Sequence, residues 1–489
     1  MRVFVFLLAI LFSMIAGANE GKEGLPVIEN GPYKPAWDSL DAHPLPDWFD
    51  DAKFGMFVDW GLYSIGGWAP RKPDGAMYPD WYLFNMYHQP ETKEYHQKTW
   101  GADFQRDDFI PLFTAAEYNP DALADLAMES GIRYIVPFCK HHDGFCLWDS
   151  SYTERDAADA GPKRDLMRPM VEACRKRGLK FGFYFSVDEW EYPIINDAGA
   201  QLVRVWGQGP VRTVPFDEAG TKGKISGKKP VRDFVQDYIV PQAKEFIVKY
   251  DPDILWFDGE WDLPVEQRGT REIVAYFYNH AEGRKPVAAN DRIGADTRGK
   301  HGDFYTSEFH DGHATLAHKW EENRSIGQSY GYNQEDNDSN VLSPEKLIHM
   351  FIDTVAQGGN LLLMVNLTGP GALPDMQVRR LKALGAWLKV NGEAIYGTRT
   401  YKTAKEGDIW FTRSKDDKFV YAISPSWPKE KVVLKSVAAV PNSAILLLGE
   451  SIPLSWKQEG DTLTITIPPE LEGRKPCDHA FSFRIEAAP

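Results

Sequence analysis

A (β/α)8 barrel followed by a C-terminal antiparallel β-sandwich is the fold class the sequence predicts. Three observations lead there. Strand-like apolar runs alternate with helix-like stretches through most of the chain, an order that implies parallel crossovers. Several of these runs stop at polar residues, as Ile254 to Phe257 does at Asp258-Gly259-Glu260-Trp261, and barrels of this kind carry their chemistry at the carboxyl ends of the strands. Past Gly397 the texture changes to short strand-like pieces separated by turns, the rhythm of a sandwich. Periodicity alone leaves an open doubly wound sheet as the rival of the barrel.

The strand-like runs are Phe54–Asp59, Tyr134–Cys139, Lys180–Phe185, Ile254–Asp258, Val287–Asn290, Phe304–Glu308, Ser325–Tyr330 and Leu361–Val365. Helical patterns fall at Pro120–Ser130, Arg168–Arg177, Phe234–Tyr250, Arg271–Ala281, Pro344–Gln357 and Met376–Asn391. The helix from Pro344 is well signposted. Ser343 suits the N-cap, Pro344 the first helical position and Glu345 the first turn, and Gly358-Gly359 stops it. The sandwich pieces are Asp408–Arg413, Lys418–Ile423, Lys431–Leu434, Ala444–Leu448, Leu463–Ile467 and Ala480–Ile485. The sequence thus divides into a leader over 1–18, a barrel over 19–397 and a sandwich over 398–489.

Two long loops interrupt the barrel pattern. One runs from Gly61 to about Trp100 and carries Trp68, Trp81, Tyr82 and Tyr87. The other runs from Asn196 to Pro230 and holds Arg204, Arg212, Lys222, Lys224, Lys228 and Lys229. Loops of this length in a compact domain are functional or disordered. The second reads either as a solvated tip or as a basic rim for an anionic polymer.

The net charge of −15 argues against nucleic acid as a partner. Met1-Arg2, an apolar run from Val3 to Ile15 and the small residues Ala16-Gly17-Ala18 read as a secretory signal cut before Asn19. The expectation is a secreted or periplasmic protein without a membrane span. Cys139, Cys146, Cys174 and Cys477 are too few for a disulfide scaffold, although Cys139 and Cys146 could pair.

Polar residues gather at the strand ends: Asp59; Lys140, His141, His142 and Asp143; Glu189; Asp258; Asn290, Asp291 and Arg292; and Glu308. An acid at a strand end also fits a turn or a helix cap, so Asp258 alone decides nothing. Several such ends meeting on one face make a site. His141-His142-Asp143 has metal-binding side chains, but adjacent residues of a strand face opposite ways, so no metal is assigned and no cofactor is called for.

The segments AKFGMFVDWGLYS, KHHDGF, LWFDG, GDFYTSEF and GGNLLLMVNLTGPGALPD, followed by NGEAIYGTR, resemble in content and order the signatures of the α-L-fucosidases of glycoside hydrolase family 29. The resemblance runs from about Trp48 to Arg399. It implies metal-free hydrolysis of terminal α-L-fucosyl residues with retention. Carried over residue by residue, it makes Asp258 the nucleophile and Glu308 the acid/base, with Glu260, Glu189 and Glu321 as alternatives for the second role. It puts Asp80, Trp81, His141 and His142 around the sugar and Arg292 beside the acid/base. The chemistry then requires an ionised Asp258 and a Glu308 that keeps its proton near neutral pH.

Two positions depart from the family pattern. Asp59 stands where the family has His, and Asp80 where it has Glu, both sugar-contacting positions. An ionised acid accepts hydrogen bonds but donates none. The expected partner is therefore an oligosaccharide or polysaccharide ending in α-L-fucose or a related L-sugar. An α-L-galactosidase acting on L-galactose, for instance in a sulfated polymer, is the alternative. A sugar-binding protein without turnover is the second.

Overall fold

A computed structural model of the protein describes residues 31–72, 75–206, 210–216, 225–227, 229–309 and 318–487. The proposed leader and Lys222, Lys224 and Lys228 lie outside the described residues.

Eight parallel strands form one curled sheet. They are β1 (Phe54–Asp59), β2 (Tyr134–Lys140), β3 (Lys180–Ser186), β4 (Ile254–Asp258), β5 (Ala288–Ala289), β6 (Tyr305–Glu308), β7 (Trp320–Ser325) and β8 (Gly359–Asn366). Their order is β5-β4-β3-β2-β1-β8-β7-β6. The two edges meet at a parallel bridge between Asn290 and Phe304, where Asp303 N donates to Ala289 O at 2.9 Å. The ring is thereby closed. Helices Pro120–Glu129, Met167–Lys176, Val240–Tyr250, Thr270–Ala281, Pro344–Ala356 and Asp375–Asn391 cover it. Covered on both faces, the strands have no solvent side, which is why they read as runs rather than alternations.

Alternate residues fill the interior. Phe57, Val136, Phe138, Tyr184, Trp256, Leu362 and Met364 pack together there, with Phe49 and Phe304 below them. The same alternation turns Asp258 inward, two residues beyond Trp256.

The seventh strand is displaced from its expected position. It spans Trp320–Ser325 rather than Ser325–Tyr330. Its sequence, WEENRS, looks like a loop because its polar side chains are buried with partners. Trp256 Nε1 donates to Glu321 at 3.0 Å, Tyr134 OH also donates to Glu321, and Tyr330 OH donates to Asn323 Oδ1 at 2.7 Å.

Neither long loop is structureless. The first folds into the short helices Tyr63–Gly66, Tyr82–His88 and Pro90–Thr99, whose buried Tyr82, Leu83, Phe84 and Met86 pack on the barrel. The second supplies Gln201–Val205 and Arg212–Pro215, which with the preceding strand Glu191–Ile195 form a three-stranded antiparallel sheet. Arg204, expected on a basic rim, is buried: Nη2 bonds Asp188 Oδ2 at 2.9 Å and Nη1 bonds Asp188 Oδ1.

The C-terminal part is a sandwich of a five-stranded and a three-stranded antiparallel sheet around Phe411, Val432, Leu447, Ile465 and Phe483. Two of its strands, Thr398–Glu406 and Trp456–Glu459, leave no mark in the sequence pattern. The sandwich is anchored to the barrel helices. Trp410 Nε1 donates to Asp353 at 2.7 Å, and Trp387 Nε1 to Ala480 O at 2.9 Å. All four cysteines are free, and Cys139 and Cys146 do not pair. Among the described residues, no helix is long and apolar enough to cross a membrane.

Candidate active site

A cavity of about 470 Å³ opens at the carboxyl ends of the barrel strands. Asp80, Trp81, Asp258, Arg292 and Glu308 line it directly. Asp59, His141 and His142 are buried around it, His141 against Asp80 and His142 against Asp258.

Asp258 ends β4 and is followed by Gly259, whose φ of +86 lets the chain turn sharply away. A side chain there would also come within 3.1 Å of Ser186 Oγ. Tyr184, from the inward row of β3, donates its hydroxyl to Asp258 Oδ2 at 2.8 Å. Arg292 Nη1 donates to Asp258 Oδ1 at 2.9 Å, and its other terminal nitrogen donates to Glu308 Oε1. One guanidinium thus holds both carboxylates.

The guanidinium is itself fixed. Its Nε donates to Thr306 Oγ1 at 3.0 Å, and that hydroxyl donates to Asp291 Oδ1 at 2.8 Å. The cation also lies over the Trp256 ring at 4.7 Å. Burial alone would raise the Glu308 carboxyl, but the Arg292 charge and hydrogen bond, joined by the Arg298 charge and a hydrogen bond with Asn323, outweigh it and hold Glu308 below its ordinary range. The chemistry expected from the sequence requires a protonated Glu308. In this arrangement it is ionised, because the arginine that positions it also stabilises its anion.

A second glutamate behaves in the opposite way. Glu260 is fully buried, neither of its oxygens has a hydrogen-bond partner, and burial pushes its carboxyl up to about 7. Arg298 Nη1 stands 3.7 Å from it. The other two alternatives are taken up structurally. Glu189 pairs with Lys140 at 3.1 Å, and Glu321 lies within the barrel, hydrogen-bonded by Tyr134 and Trp256.

His141 and His142 follow the end of β2 in a turn, and their ring centroids are 4.1 Å apart rather than on opposite faces. Ser186 Oγ donates to the Asp188 carbonyl at 2.5 Å, so it must accept from His142 Nδ1, 2.6 Å away. The proton therefore sits on Nδ1. Burial, with the charges of His141 and Lys140, holds His142 well below its usual range, so the ring is neutral. Its Nε2 lone pair is left facing Asp258 Oδ2 at 3.6 Å, an acceptor for a donor that enters between them.

His141 has the opposite character. Burial lowers it, but the Asp80 carboxylate, 3.5 Å from Nε2, together with the charges of Asp143 and Asp59, outweighs burial and leaves it raised. Asp59 accepts from Tyr63 OH at 2.6 Å and is pushed up to about 8, first by burial and then by the Asp80 charge. Near neutrality Asp59 is therefore protonated and is able to donate as well as accept. Asp59 Oδ2 and Asp80 Oδ1 are buried without partners.

Trp81 stacks toward Trp261, with centroids 5.8 Å apart, and tilts against His142 at 5.2 Å. Sequence reasoning missed Tyr184, Trp256, Trp261 and Tyr330, which also line the cavity. For Tyr184 and Trp256 a signal existed: both lie on the inward row of an assigned strand, two residues before a polar terminus. Trp261 lies past a strand end, where strand parity does not extend, and Tyr330 falls at the end of an expected strand that stops at Ser325.

Residues 25–393 match the family model described as "Alpha-L-fucosidase", and residues 402–486 match "Alpha-L-fucosidase C-terminal domain". The human plasma α-L-fucosidase is 35% identical over 464 residues, covering 93% of this chain and 92% of the relative. An α-L-fucosidase of Branchiostoma floridae is 32% identical over 463 residues, covering 93% of this chain and 96% of the relative. Among solved structures, Thermotoga maritima α-fucosidase in complex with a mechanism-based inhibitor superposes with a TM-score of 0.75 at 33% identity, over 93% of this chain and 100% of that one. The complex of that enzyme with fucose gives 0.73 at 33% identity, over the same shares of the two chains. With the family models covering both parts of the chain, the protein belongs to the α-L-fucosidase family of glycoside hydrolases.

Proposed function

We propose that the protein hydrolyses terminal α-L-fucosyl residues with retention, Asp258 attacking the anomeric carbon and Glu308 serving the leaving and entering oxygens. The observation that carries this reading is the shared guanidinium. Two carboxylates hydrogen-bonded to neighbouring nitrogens of Arg292 are set close together on one cavity. Double displacement needs carboxyls ~5–5.5 Å apart, whereas inversion needs a wider gap for a water molecule. In the first step Asp258 Oδ forms the glycosyl ester as the glycosidic C–O bond breaks, and the leaving oxygen takes a proton. In the second, water attacks the anomeric carbon, the bond from that carbon to Asp258 Oδ breaks and frees the carboxylate, and the water's proton goes to the base. The ionised Glu308 of the free site is ready for that second step.

The first step requires a proton donor. Substrate entry that draws Arg292 away from Glu308 would let burial raise Glu308 and supply one. Glu260 is the second reading, favoured by its carboxyl near 7, although it does not line the cavity. Hydrolysis of an aryl α-L-fucoside followed by NMR tests the main reading. The α-anomer of fucose should appear first. Release of the β-anomer first would overturn the mechanism. A faster aryl α-L-galactoside would overturn the choice of sugar. We also infer from residues 1–18 that the enzyme works outside the cytoplasm, starting near Asn19, which N-terminal sequencing of the natively produced protein would check.

A further inference from the structure

Beside the catalytic cavity lies a second one of about 300 Å³. Arg71, Lys72, Arg324 and Lys346 line it, and the other described lining residues are uncharged. In a chain with 70 acidic and 55 basic residues, four cations and no carboxylate among the described lining residues run against composition. Among the described residues, Arg71, Lys72 and Lys346 make no ion pair, although Arg106, Arg204, Arg268 and Arg292 around the barrel mouth all do. One carboxyl, Asp336, comes near Gly327 on its wall; its Oδ1 accepts from the Ser329 hydroxyl at 3.4 Å, and the Arg71 charge acts on it, so it offsets part of the positive lining.

The two cavities are neighbours by construction. The segment after β1 pairs with the segment after β7: Met77 N donates to Gln328 O at 2.7 Å and Tyr330 N to Met77 O at 2.9 Å. Tyr78 and Tyr330 line the catalytic cavity, while Gly327 and Gln328 line the cationic one. Lys72 lines both. A substrate whose terminal sugar fills the first cavity has to carry its leaving group out through that mouth.

We propose that the second cavity is a leaving-group subsite for an anionic substituent, a sulfate ester or a carboxylate, on the sugar to which the terminal residue is attached. It rests on the fucosidase reading and adds to it the class of acceptor. Cations in an exposed cleft select an anion by Coulomb attraction and steer it inward, an effect that salt weakens. Individual exposed ion pairs are weak, so several together are needed for a preference of roughly tenfold.

The test compares kcat/KM for four substrates: an aryl α-L-fucoside, a neutral α-L-fucosyl-galactose, its sulfated counterpart, and an α-L-fucosyl uronide. The expected result is a preference of roughly tenfold for one or both anionic disaccharides over the neutral one at low ionic strength, shrinking as salt is added. Preference for the sulfated arm alone identifies sulfate; preference for the uronide alone identifies carboxylate. Arg71→Ala with Lys346→Ala should remove the preference and leave the aryl fucoside rate unchanged. Turnover of the aryl fucoside with equal rates on neutral and anionic disaccharides overturns the subsite alone. No turnover of any fucoside overturns the fucosidase reading and the subsite with it. Should the double variant fail to fold, the salt dependence of the wild-type protein decides instead, and a preference that added salt leaves unchanged overturns the subsite.

Discussion

Asp258 and Glu308, fifty residues apart in the chain, hydrogen-bond to the two terminal nitrogens of one arginine. Neither carboxylate can move or change its protonation without the other feeling it. Under the proposed mechanism the two carboxylates are coupled through Arg292, and Arg292→Lys, which offers one point charge in place of a planar fork, should lower kcat by about 10²-fold or more. Steady-state kinetics on an aryl fucoside measures it; a lysine variant with near-native kcat would show that the bridge is incidental.

Asp258→Ala should reduce turnover by about 10³-fold or more, as removal of a covalent nucleophile does. Azide or another small anion added to that variant should restore part of the rate and yield a product of inverted configuration. A variant as active as the parent would remove Asp258 from the chemistry.

Glu308→Gln and Glu260→Gln separate the two candidate acids. The true donor's variant should be slowed far more on natural disaccharides than on activated aryl fucosides, because only the former need protonation of the leaving oxygen. Glu308→Gln is expected to show that split. If Glu260→Gln shows it instead, the second reading replaces the first.

Asp59 ties activity to pH. Its carboxyl is raised to about 8, so it donates hydrogen bonds below that pH and loses the proton above it. The wild-type kcat/KM profile should fall near pH 8. Asp59→Asn, which keeps a neutral donor, should retain activity near neutrality within about tenfold and lack that alkaline limb. A limb unchanged in the variant assigns it to another group.

Glu321 should leave its mark on stability rather than on activity. Burial raises it from 4.5 to about 7. The folded state therefore binds more protons than the unfolded one between those values, and the stability of the fold falls as pH rises through that window, by about 3 kcal/mol in all. Glu321→Gln keeps the shape and removes the titration. Its Tm relative to wild type should be clearly higher at pH 8 than at pH 5. Parallel Tm curves would show that the buried carboxyl does not titrate there.

The barrel was legible because buried parallel strands leave apolar runs, and seven of the eight fall on or within a few residues of their expected places. The exception, Trp320–Ser325, buries Glu321 and Asn323 against partners from outside the strand, and a pairing of that kind has no trace in local sequence. The surface sheet over 191–215 was hidden for a related reason. Its basic and glycine-rich surroundings look like solvent-exposed chain, yet Arg204 is neutralised by Asp188. Asp258 was readable from its position at a strand end. The roles of Glu308 and Arg292 were suggested only by resemblance, because the geometry that joins them spans loops whose paths no periodicity describes. The ionisation of Glu308 in the free site was unreadable for that reason: a neighbour's charge is a property of the folded site.

The clamp of Arg204 and Arg268 on Asp188 has a bearing on how such enzymes diverge. Through the Asp188 carbonyl and the Ser186 hydroxyl it reaches the imidazole of His142, which faces Asp258. A peripheral ribbon of the molecule, a kind of segment that tolerates lengthening and trimming, is thus wired to a buried ring beside Asp258. Sugar preference in this lineage is accordingly open to drift through edits at the periphery, with every residue of the pocket wall left intact.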